Sequence, residues 1–164
     1  MNPLAHTAAA QHNPRRFITA NLLPVVCAIL FIGCALFHSG PDGLEVSPDG
    51  YTGMVRECYE DARTRLASIG WKENLGDDPD ISVAIREDGI RQSDGHLRCQ
   101  MSTGVWAGGW ATITKITVVR DYSEYYTRRR CTHEWAEIIL DHLGVKTSAE
   151  CHAIMKLCGI PTRD

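Results

Sequence analysis

The residues best suited to chemistry lie in one stretch, Cys131-Thr132-His133-Glu134-Trp135-Ala136-Glu137-Ile138-Ile139-Leu140-Asp141-His142-Leu143-Gly144. His133, Glu137 and Asp141 recur at every fourth position. Side chains four apart are neighbours on a helix, so this spacing would set nitrogen and oxygen donors side by side. Such donors suit a divalent metal ion. Glu134, next to the first donor, is the type of carboxylate that takes a proton from a metal-bound water. The chemistry served would be metal-assisted hydrolysis. Three protein ligands leave one position open, and zinc there lowers the pKa of its water toward about 7. His133 and Glu137 would be the first two ligands. Asp141, or His152 beyond the Gly144 turn, would be the third.

A helical projection gives a competing reading. At about 100° per residue, with His133 as zero, Glu137 falls near 40°, Asp141 near 80° and Glu134 near 100°. Trp135, Ala136, Ile139, Leu140 and Leu143 fill the arc from about 200° to 340°. The polar residues thus form one stripe. If the helix is simply amphipathic, that stripe faces water, the side chains diverge and no metal binds. His142, near 180°, is excluded from any ion that His133 holds on a regular helix.

The elements that must position these residues can be read from the rest of the chain. Met54, Val55, Cys58, Tyr59, Ala62, Leu66 and Ile69 give an apolar face to a helix over 52–69, which Gly70 ends. Trp71 is expected to begin a short strand. Ile81, Val83 and Ile85 alternate, as do Leu97, Cys99 and Met101, and each set predicts a half-buried strand. Residues 111–119, rich in Thr and Ile, predict another. Asp121 to Ser123 offer polar residues at the start of the long helix. Thr147-Ser148-Ala149-Glu150 is a capping box for a last helix that Gly159 and Pro161 stop. The fold class expected is α+β, with a small, mostly antiparallel or mixed sheet and helices on one face.

This order, with His-Glu on the long helix and a Gly closing it, resembles the metzincins, a clan of zinc peptidases. Met155, inside Ala153-Ile154-Met155, follows Gly144 at that clan's spacing for the methionine under the metal. The resemblance implies a metzincin-like topology for most of 52–157, a zinc cofactor, and peptide-bond hydrolysis with Glu134 as the base. The chain departs from the clan's three histidines. Aligned on His133-Glu134, the second ligand is Glu137. Aligned on Gly144 and Met155, the ligands fall on Glu137, Asp141 and Thr147.

Before the domain, residues 17–37 carry no charge, and about 20 apolar residues cross a bilayer as a helix. Arg15 and Arg16 precede the stretch, while Asp42, Glu45 and Asp49 follow it. The positive-inside tendency then keeps 1–16 in the cytoplasm and places the rest outside. The segment reads as a transmembrane anchor or as a lipoprotein-type signal. In the second case Phe31-Ile32-Gly33-Cys34 is the processing site and Cys34 the lipidation candidate. Residues 38–50, with two Pro-Asp-Gly turns, read as a linker, and 51–164 as an outward-facing globular domain. Outside the cytoplasm cysteines tend to pair, so Cys58 or Cys99 is expected to meet Cys131 or Cys151 in a disulfide.

The chain has 164 residues and a net charge of −3, so no global field draws it to nucleic acid. The run Arg128-Arg129-Arg130 reads as a solvated helix face or an anionic-lipid contact. Two functions follow. One is a membrane-tethered, non-catalytic domain of the periplasm or cell exterior that binds an envelope protein or peptide and needs no cofactor. The other is a zinc-dependent peptidase with an altered His/Glu ligand set.

Overall fold

The computed structural model describes residues 43–72, 75 and 80–162, which lie within one compact unit, Gly40–Asp164. The uncharged segment 17–37 and Cys34 lie outside the described residues. Among the described residues no helix is long and apolar enough to cross a membrane.

The fold is α+β. In chain order it runs β1 (Glu45–Ser47), a 3₁₀ turn, α1 (Thr52–Ser68), β2 (Ser82–Arg86), β3 (Ile90–Arg91), β4 (Leu97–Gln100) and β5 (Trp106–Ala107). It continues with β6 (Gly109–Thr112), β7 (Lys115–Val119), α2 (Glu124–His142) and α3 (Ser148–Leu157). The main sheet is mixed, in the order β1-β2-β7-β6. β1, β2 and β7 are parallel, and β6 is the antiparallel edge. A small antiparallel sheet, β3-β4-β5, stands apart from it.

Each element follows from its local pattern. In α1 the buried residues Val55, Cys58, Tyr59, Ala62 and Leu66 recur at helical spacing. In β2, Val83 and Ile85 alternate with half-buried neighbours and face the same core as Ile116 and Val118 of β7. Parallel strands need a crossover, and α1 supplies it between β1 and β2. β7 is buried on both faces because the small sheet closes on its end. There Gly89 lies so near Val119 that a Cβ would come 2.5 Å from its Cγ1.

The structure departs from the sequence pattern at three places. Residues 111–119 form not one strand but the β6–β7 hairpin, since Ile113 and Thr114 make the turn between the paired Thr112 and Lys115. Strand β1 falls in the stretch read as linker, where it pairs with β2 through Val46 and Val83. Trp71 is not in a strand and packs against the core from a coil.

Helix α2 is the centre of the fold. It packs on α1, on β6 and β7, and on α3. Trp135, fully buried, meets Tyr59 of α1 edge-to-face with centroids 5.1 Å apart. Val145 N bonds to Leu140 O beyond the helix end, and Gly144, at φ +91°, makes the turn that returns the chain. Thr147 caps α3 by accepting from Glu150 N at 3.3 Å, and its hydroxyl donates to Glu150 Oε2 at 2.8 Å. α3 therefore lies across the end of α2 rather than continuing it.

Candidate metal centre

The polar stripe of α2 is withdrawn from water at Glu134 and only partly accessible along the rest. Glu134 is 4 % exposed, Thr132 is buried with it, and His133 and Glu137 are only partly accessible. α2 is surrounded by neighbours, so the stripe becomes an internal polar seam covered by α3, by β6 and by the C-terminal turn.

Three of the expected ligands converge on that seam. His133 Nε2 lies 3.5 Å, and His152 Nε2 3.3 Å, from the same Glu137 Oε1. The three ligand atoms all lie within 4.8 Å of one another. The sequence left Asp141 and His152 as alternatives for the third position, and the chain folds so that His152, not Asp141, lies beside His133 and Glu137. Asp141 instead receives Lys146 Nζ at 2.9 Å and lines the neighbouring groove. Met155, expected beneath the metal, is a fully buried core residue within α3.

The surroundings orient the donors. His133 Nδ1–H donates to the Pro161 carbonyl at 2.7 Å, which aims Nε2 at Glu137. A backbone carbonyl on the far nitrogen is the usual way a ligating imidazole is fixed. That carbonyl is held in place by the C-terminal turn. Ile160 is buried and its amide bonds to Met155 O, while Arg65 of α1 donates to Gly159 O at 3.1 Å. His152 Nε2 is shut off from solvent and faces Glu137 Oε1 at 3.3 Å.

The electrostatics agree with a charged cluster. Burial opposes a charge on His133. The contact with Glu137, the field of Glu134 and the Pro161 carbonyl outweigh it and raise the imidazole to about 9. Burial also disfavours the Glu137 carboxylate, but the two imidazoles hold it below its ordinary value.

The donor set fits zinc. Ligand atoms bound at 2.0–2.1 Å in a tetrahedron stand roughly 3.4 Å apart, and two of the three edges here are already close to that. Closing the third needs movement of His152, which is the most accessible of the three. Two imidazoles and a carboxylate are a set that catalytic zinc accepts with a fourth position open.

Two hollows flank the cluster. A groove of about 220 Å³ lies between β6 and the Glu137 side of α2, with Ala111, Thr112, Asp141 and Cys151 in its wall. A polar hollow of about 130 Å³ lies on the other side, where His133 and Glu134 share a wall with Gly108 and Gly109. Glu134 reaches the edge strand itself. A Cβ on Gly109 would fall 2.7 Å from its Oε1, so only glycine leaves that carboxylate room.

The arginine run is divided between surface and interior. Arg130 is 3 % exposed, donates to Val119 O at 3.0 Å and pairs with Asp121 Oδ2 at 3.0 Å. Arg128 joins Glu57 of α1 to Glu124, and Arg129 stacks on the rings of Tyr125 and Tyr126. Asp121 is more than a polar residue at the start of the long helix. It also accepts from His96 Nδ1 at 3.1 Å and from the amides of Leu97 and Tyr122. Nothing in its local sequence marks it, because its partners come from β4 and from nine residues further along the chain.

All five cysteines of the described residues are thiols. Cys58 and Cys131 meet between α1 and α2. Cys99 contacts Asp88 at 3.6 Å, and Cys151 lies on α3 beside the groove.

No protein family, no curated protein and no solved structure matches the chain.

Proposed function

We propose that this domain binds one zinc ion through His133, Glu137 and His152 and hydrolyses peptide bonds, on the pattern of a metzincin-like peptidase with a changed ligand set. The observation that carries the reading is the convergence of two imidazole nitrogens on one carboxylate oxygen at tetrahedral-edge spacing. When bound, zinc would supply a water acidic enough to ionise near neutral pH. Glu134 is the group that takes the proton. It is held beside His133 in a polar hollow and stands close enough to act on that ring electrostatically. The Pro161 carbonyl keeps His133 in register, and the uncharged segment 17–37 tethers the domain to a membrane with its site outward.

The experiment is hydrolysis of an unfolded protein, such as denatured casein, by the zinc-loaded full chain in detergent. Glu134→Gln should keep its metal and lose about 10²–10⁴-fold in rate, because an amide takes no proton. A wild type that binds zinc and cleaves nothing, or a Glu134→Gln protein as fast as wild type, would refute the hydrolytic part.

One observation favours the non-catalytic alternative, a tethered binding domain of the envelope. His133 as a cation already balances Glu137, so the cluster is charge-satisfied without an ion.

A further inference from the structure

We propose that Cys58 and Cys131 are a disulfide pair that staples α1 to α2. The two residues sit across the most extensive helix–helix contact of the domain, with their thiols close enough to bias one another's ionisation. Cys58 Sγ also reaches Arg128 O, one turn before Cys131, at 3.6 Å. Both residues belong to the same buried core cluster, with Cys58 2 % and Cys131 0 % exposed. The other three cysteines are placed otherwise. Cys99 is on the small sheet against Asp88, and Cys158 is turned onto Met155 O of its own helix at 3.3 Å. Cys151 shares α3 with Cys158 two turns away, too far for a bond between them. The contact with Cys131 outweighs burial and holds the Cys58 thiol below its ordinary value, aided by the Thr132 hydroxyl and the Arg128 charge.

The bond forms by exchange with a small disulfide such as oxidised glutathione. Cys58 thiolate attacks and displaces one glutathione thiol. Cys131 then attacks the mixed disulfide and displaces the second. Two electrons and two protons leave on the two glutathione molecules. Because both sulfurs are buried, exchange belongs to the folding chain, and reductant reaches the finished bond only when α1 and α2 part on unfolding.

The test uses the full chain, unfolded under reductant and refolded with reduced and oxidised glutathione, then alkylated and digested with trypsin without reduction. The expected product joins the peptide 57–63, which holds Cys58, to 131–146, which holds Cys131. In thermal unfolding, reductant should lower the midpoint of the refolded wild type and of Cys99→Ser by on the order of 10 °C. It should leave Cys131→Ala unmoved. Recovery of Cys58 and Cys131 as separately alkylated peptides, or of Cys58 joined to any other cysteine, would overturn the proposal. So would a midpoint that reductant shifts equally in Cys131→Ala.

Discussion

At the scale of single residues, three side chains crowd around one oxygen atom. His133 and His152 share Glu137 Oε1, and Glu134 is kept nearby by a residue with no side chain at all. Gly109→Ala would put a methyl group 2.7 Å from Glu134 Oε1. Since Glu134 is buried, its carboxylate has little room to retreat. We expect Gly109→Ala to keep zinc and to slow hydrolysis at least tenfold, in the same direction as Glu134→Gln but less. Unchanged turnover at full zinc occupancy would remove Glu134 from the reaction. Asp141 makes the opposite prediction. It is tied to Lys146 and lies off the cluster, so Asp141→Asn should leave zinc occupancy as it is.

At the scale of elements, the site depends on α2 being packed against α1, the main sheet and α3. The buried pair of Arg130 and Asp121 fixes that helix against the ends of β7 and β4. Burial opposes the Asp121 carboxylate, but His96, the amides of Tyr122 and Leu97, and Arg130 hold it below its ordinary value. A carboxylate depressed by folding stabilises the protein above its unfolded value of about 3.9, and that stability fades as pH falls through the folded value. Asp121→Asn should therefore cost about 3–5 kcal/mol at pH 7, because it breaks a buried ion pair by removing one of its charges. It should also flatten acid unfolding below about pH 4. A loss under about 0.5 kcal/mol in chemical denaturation would show that the pair is incidental. The sequence reveals α1, α2 and α3 through their apolar spacing and their stops, and β2 through its alternation. It conceals the β6–β7 turn, since Ile113 and Thr114 have strand-type side chains. It also conceals the burial of the α2 stripe. A helical projection sees only one helix, and the cover comes from α3 and from a turn at 159–161. That His133 and Glu137 are neighbours could be read from their spacing. The choice of His152 over Asp141 depends on the Gly144 turn, whose direction spacing does not encode.

At the scale of the molecule, the order of segments matters more than any one contact. The expected arrangement places 1–16 in the cytoplasm and the folded unit outside, so a reporter fused after Asp164 should be active only outside the cytoplasm. Cytoplasmic activity of that fusion would remove the tether and with it the outward site. The same arrangement exposes the domain to extracytoplasmic zinc. The measurement that tests the central claim most directly is zinc per chain in the purified protein, with wild type beside His133→Ala and His152→Ala. Titration across pH should accompany it, since zinc must displace the proton that His133 holds up to about 9. The account predicts one zinc per wild-type chain, affinity that rises with pH, and loss of the ion in both variants. Wild type that takes up no zinc at any pH, or zinc retained in both variants, would contradict it.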